Sequence, residues 1–173
     1  MKLVDFLQGK WLGHPLHPAI VHVPIGAWIA ACVLDMLAFT RWSQPALPRL
    51  AFYCVALGLA VVLAAVPTGL AEWAAIKKEK PAWRLALYHL ILNVLATAAW
   101  AVNFALRLRT LDTVEPISPS IVFTSIAGTV LVLFGGYLGS LLVFDHGIAV
   151  ARLSKKKWRA VAARGGARLP EEK

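Results

Sequence analysis

The chain has 173 residues, of which 59% are hydrophobic and only 16% charged, and its mean hydropathy is +0.67. An ordinary soluble domain sits nearer half apolar and a quarter charged, so composition argues against one. The net charge of +9 would suit a nucleic-acid binder, but its clustering along the chain points to a membrane surface, and no nucleic-acid partner is expected.

In chain order, residues 1–18 form a short lead with Lys2 and Lys10. It lacks a continuous apolar core, so no cleavable signal peptide is expected. Four apolar runs follow, Ala19–Phe39, Leu50–Ala71, Leu85–Leu106 and Ser120–Phe144, of 21, 22, 22 and 25 residues. Each is long enough to cross a hydrocarbon core of about 30 Å as a helix. Asp35 is the one fully charged side chain within them. It lies near the outer end of the first run, where Arg41, Arg49 or Tyr53 could partner it. In the second run Pro67, which offers no backbone donor, should loosen the last turns before Glu72 and Trp73. A basic connector, Ile76–Pro81, leads to the third run, and the polar loop Thr110–Pro119 to the fourth. Gly147 after Asp145 and His146 reads as a helix terminator. The tail is basic and suits either solvent or anionic lipid. Two cysteines, Cys32 and Cys54, provide neither a disulfide scaffold nor a four-cysteine zinc site. No internal repeat and no Gly-rich phosphate loop is visible.

The fold expected is therefore all-α: an integral membrane four-helix bundle, up-down-up-down, over residues 1–150, with a basic cytoplasmic tail over 151–173. Fourteen Lys and Arg fall on the side of the termini and the second connector, against four on the other, Arg41, Arg49, Arg107 and Arg109. The positive-inside rule then places both termini in the cytoplasm.

With that topology all five histidines gather at the cytoplasmic end. His14 and His17 each precede a proline, which biases them to extended backbone, and Pro18 suits a first helical position. His22 and His89 lie at matched depth on the first and third spans, which are diagonal in such a bundle, so they are expected to face each other. His89, Asn93, Thr97, Trp100 and Asn103 share one face of the third span. Gly128, Gly135 and Gly139 line up with His146 on the fourth, a seam for a close helix or a flat cofactor. Two axial imidazoles would serve a non-covalent haem b through His22 and His89. A transition metal ion could instead take His14, His17, His22, His89, His146 and Glu72. Against both stands the plain reading that these side chains hydrogen-bond between helices, as polar groups in spans commonly do.

Gly13-His14-Pro15-Leu16-His17-Pro18, followed by Val21-His22-Val23-Pro24-Ile25-Gly26, resembles the opening motif of a bacterial membrane-protein family, domain of unknown function 2231. Gly135-Gly136-Tyr137-Leu138 and Asp145-His146-Gly147 resemble the end of its fourth span, and the likeness covers about Gly13 to Val150. The resemblance implies four spans and no established activity. Some relatives carry an attached Rieske-type iron–sulfur domain, which implies electron transfer with a redox or iron–sulfur partner. With its two cysteines inside spans, this chain does not hold such a cluster itself.

The readings carried forward are a haem b or metal protein, with electron transfer as its role, and a structural or accessory membrane subunit without a cofactor. Transport is a weaker idea, since four spans form a pore only as an oligomer. A stand-alone hydrolytic enzyme is not expected, because no nucleophile–base pair or paired carboxylates can be assigned.

Overall fold

The computed structural model describes residues 2–40, 44, 46–109, 117–150 and 155–166, and among these the regular structure is all helical. The helices are α1 (Leu3–Leu7), α2 (Leu16–Ile20), α3 (His22–Phe39), α4 (Ala46–Ala74), α5 (Pro81–Leu108), α6 (Pro119–Phe144) and α7 (Lys155–Arg164), with a 3-10 turn at Lys10–Leu12. Helices α2 and α3 meet at Val21 and form the first span, Leu16–Phe39. That span and α4, α5 and α6 are long and apolar enough to cross a membrane. Large apolar side chains such as Leu63, Phe123 and Phe144 stand exposed on the outside, as contact with lipid requires.

Helices α4 and α5 outrun at both ends the apolar stretches that announce them, because their end turns carry polar residues at headgroup depth, whereas the first and fourth spans end at Phe39 and Phe144 as expected. Pro81 and Pro119 open α5 and α6, where a missing N–H costs nothing. His17 is helical rather than extended, since a proline in a first turn leaves no bond unmade. The helix starts at Leu16, so Pro18 is its third residue, not its first. Helix α4 continues through Pro67 to Ala74, and the Thr68 hydroxyl bonds the Ala64 and Ala65 carbonyls beside it. Gly147 ends the fourth span with φ +61. Its N–H bonds Val143 O, and Ile148 N–H bonds Leu142 O.

Helix α3 packs on α4 and α6, and α5 on α4 and α6, while α3 and α5 meet across the middle through long side chains. Three layers stack along the bundle. At one end are His17 and His89. About 16 Å further, eleven residues on, Trp28 and Trp100 stack with centroids 5.6 Å apart and planes 15° apart. About 10 Å beyond, seven residues further, Asp35 and Arg107 form a buried ion pair.

The members of each layer are 72 residues apart, and so are the buried pairs Pro24/Ala96 and Ala31/Asn103. On the partner helices, Ala51/Ile121, Val55/Ser125, Gly58/Gly128 and Ala65/Gly135 are 70 apart. The chain is thus an internal repeat of two helical hairpins around an axis along the bundle. The repeat escapes the eye in the sequence because it resides in which positions are buried. Among the layer residues only His and Trp are kept in both copies.

Glycine makes the middle layer possible. Gly58 lies against the Trp28 indole so closely that a Cβ there would overlap it, and a Cβ at Gly128 would sit 2.7 Å from Trp100 Nε1. The expected glycine seam of the fourth span is thus occupied by side chains of the third: Trp100 on Gly128, Asn93 on Gly135 and His89 on Gly139. Overpacking a tight core costs about 1–3 kcal/mol. Gly58→Ala should therefore lower the thermal unfolding midpoint in detergent, and Trp28→Phe in the same chain should restore part of it. Gly26→Ala, into open space, should leave the midpoint unchanged.

The far layer corrects the partner expected for Asp35. Its carboxylate pairs with Arg107, and Ser125 Oγ donates to the same oxygen. Arg107 Nε also donates to Asn103 Oδ1 at 2.7 Å, and Asn103 Nδ2 reaches Ile121 O at 2.9 Å. Arg49 and Tyr53 are exposed, and Arg41 lies outside the described residues. The apolar stretch of the third span stops at Leu106, yet the helix carries Arg107 into the interior. Breaking a buried pair from one side costs about 3–5 kcal/mol, whereas replacing both partners is often neutral. Asp35→Leu should be strongly destabilising and the double change Asp35→Leu/Arg107→Leu much less so, as read by unfolding in detergent.

Candidate functional site

The histidine layer is built from His17 on α2 and His89 on α5, both half-buried. Their ring centroids are 6.3 Å apart and their planes lie at 85°. His17 Nδ1 is 3.0 Å from Ala65 O and 3.4 Å from Thr68 Oγ1, and His89 Nδ1 is 2.8 Å from Gly135 O. Ala65 and Gly135 are equivalent positions of the repeat, so the same bond is made twice.

A carbonyl only accepts, so each Nδ1 donates and carries the proton. In the neutral ring the lone pair is then on Nε2. A backbone carbonyl that fixes one ring nitrogen in this way is the usual outer partner of a metal-binding histidine. Each ring also lies on a glycine. A Cβ at Gly69 would come within 2.7 Å of the His17 ring, and one at Gly139 within 3.0 Å of the His89 ring. Asn93 braces the second ring. Its Nδ2 donates to His89 O at 2.7 Å and lies 3.4 Å from both ring nitrogens. Thr97 Oγ1 in turn donates to Asn93 O at 2.8 Å, and Trp100 and Asn103 are buried further along the same face.

His22, expected opposite His89, is exposed, and the ring that meets His89 is His17. His14 and His146 are exposed as well, while Glu72 is half-buried at the end of α4. Among the described residues no group of three His, Cys, Asp or Glu side chains is placed to hold a metal ion. Residues that sequence reasoning missed are Gly69 and the carbonyl-bearing Ala65, while Gly135, expected in the glycine seam, also serves as the acceptor for His89. One signal could have led to the pair. His17 to Trp28 and His89 to Trp100 are both eleven residues, close to three full turns, which puts each histidine on the face of the buried indole.

The lead folds back over this end of the bundle. Gln8 Nε2 donates to Ala71 O at 3.0 Å, and Phe6 stacks on Trp11 with centroids 5.7 Å apart. Gly9 takes φ +71 where its backbone passes the His14 carbonyl, a place with no room for a Cβ.

Residues 13–152 match the family described as a predicted membrane protein, DUF2231. The chain belongs to this family. Neither a curated protein nor a solved structure matches it. Membership and four membrane-crossing helices agree on a multi-pass membrane protein.

His89→Gln should test how much the layer contributes to the fold. It keeps a donor but loses the ring seated on Gly139, so unfolding in detergent should ease by about 0.6–1.7 kcal/mol, the range measured for interhelical hydrogen bonds in membranes.

Proposed function

We propose that this member of the family is a membrane redox protein that holds one non-covalent haem b between His17 and His89. The observation that carries the reading is the repeated pair itself: two facing imidazoles, each with Nδ1 committed to a carbonyl of the neighbouring helix. The lone pair on each Nε2 is then the remaining donor, and at His89 the Asn93 Nδ2 group 3.4 Å away would have to give it up. A haem iron brings four nitrogen donors of its own and asks the protein for only two. A bare zinc ion needs three or four protein ligands.

When bound, such a group supplies a one-electron couple. The chain's own contribution is to fix both rings through backbone acceptors and to surround them with apolar helix, which sets polarity and excludes water. By the charge asymmetry the layer lies near the cytoplasmic face of a bacterial inner membrane, with both termini cytoplasmic. A one-electron partner, such as an iron–sulfur protein, would then approach from that side. A transition metal ion in place of haem would have to recruit a further donor, and Glu72, three residues beyond Gly69 on α4, is the candidate.

The structural reading has its own support, since each Nδ1 bond already ties one helix to another and the rings make an edge contact. One experiment separates them. The full chain, expressed with ample haem and purified in mild detergent, should show a Soret band and about one haem per chain. His17→Ala and His89→Ala should abolish it, while His14→Ala, His22→Ala and His146→Ala should not. A colourless wild type without stoichiometric metal, whose His17→Ala and His89→Ala variants are merely less stable, would leave the structural reading in place. Stoichiometric metal without a Soret band would replace haem by an ion.

A further inference from the structure

Beyond the histidine layer, at the same end of the bundle, lies a cavity of about 760 Å³ where α4 hands over to α5. It is lined by Trp73, Ile76, Lys77, Lys78, Glu79 and Trp83, and lies within the size range of small-ligand sites. Trp73 and Trp83 flank it as an aromatic pair, centroids 5.3 Å apart and planes 32° apart. Trp73 Nε1 is buried and has no hydrogen-bond partner among the described residues.

We propose that this cavity binds the phosphodiester headgroup of an anionic phospholipid. Two ammonium groups, Lys77 and Lys78, outnumber the Glu79 carboxylate in the lining, so the site favours an anion. Basic pockets between membrane helices at the inner face recognise headgroups in this way. Tryptophan settles at the same depth by its amphipathic ring. The apolar path out of the cavity distinguishes a lipid from free phosphate. Leu70 and Val66, three and seven residues back along α4 from Trp73, are on the same face and exposed. They offer the acyl chains a track into the hydrocarbon, which inorganic phosphate would not use. The inference is independent of the haem reading, since none of the lining residues belongs to the histidine layer.

The test is native mass spectrometry of the full chain released from neutral detergent after incubation with phosphatidylglycerol or phosphatidylcholine. The wild type should retain one phosphatidylglycerol per chain and several-fold less phosphatidylcholine. Lys77→Gln/Lys78→Gln should lose that retention several-fold. Lys2→Gln/Lys10→Gln, which removes the same charge from the same end, should retain the lipid as the wild type does. Equal retention of the two lipids, displacement by an equal concentration of inorganic phosphate, or equal loss in Lys2→Gln/Lys10→Gln would each overturn the proposal. The comparison of the two lipids on the wild type keeps it falsifiable should the double lysine variant fail to fold.

Discussion

Helices inside a bilayer gain little from hiding apolar surface against one another, because lipid tails are as apolar as leucine. What holds them is close approach, and here that approach is made by a large flat side chain lying on a glycine. Trp28 on Gly58 and Trp100 on Gly128 fix the distance within each hairpin, and the stacked indoles join the hairpins to each other. Stacking of this kind adds about 0.5–1.5 kcal/mol beyond burial. The middle layer also fixes the rotation of α3 and α5 about their own axes. Once both indoles point to the centre, His17 and His89 must converge above them and Asp35 and Arg107 below.

The two outer layers use that convergence differently. At the charged end every polar group needs an answer, because desolvated charge is costly. Asn103, Ser125 and Ile121 O supply bonds that Ala31 and Val55, their counterparts in the first hairpin, could not. At the histidine end the requirement is lighter. A neutral imidazole with one bonded nitrogen is cheap to bury, and a second nitrogen with a lone pair is left over. The asymmetry between the hairpins is therefore greatest where charges are paired and least where the rings meet.

Much of the fold was legible because twenty apolar residues in a row have few alternatives to a membrane helix. The ends of α4 and α5 were not, since their end turns are polar, and that is why Arg107 counts with the outer loop in the charge tally and its bond to Asp35 is not visible there. The site was half legible. The phase of α5 followed from His89, Asn93, Thr97, Trp100 and Asn103, all of which face inward or bond within that face. The phase of α3 did not follow, since an expectation of His22 opposite His89 sets a different inner face. Its buried residues are Pro24, Trp28, Ala31 and Asp35, in steps of four, three and four. Eleven residues before Trp28, on that phase, comes His17. His22, six before it, points elsewhere. Anchoring the helix on its indole and its carboxylate, the two groups least tolerant of lipid, would have selected the right histidine.

The hairpin repeat has an evolutionary consequence. Its two copies run the same way along the bundle axis, so a gene for one hairpin could double in tandem without either copy reversing its insertion. An ancestral hairpin paired with its own twin would already have matched rings at one end and stacked indoles in the middle. What such a twin could not provide is an acid opposite a base, because one gene writes the same residue twice. Fusion into a single reading frame is what allows position 35 to be aspartate while position 107 is arginine.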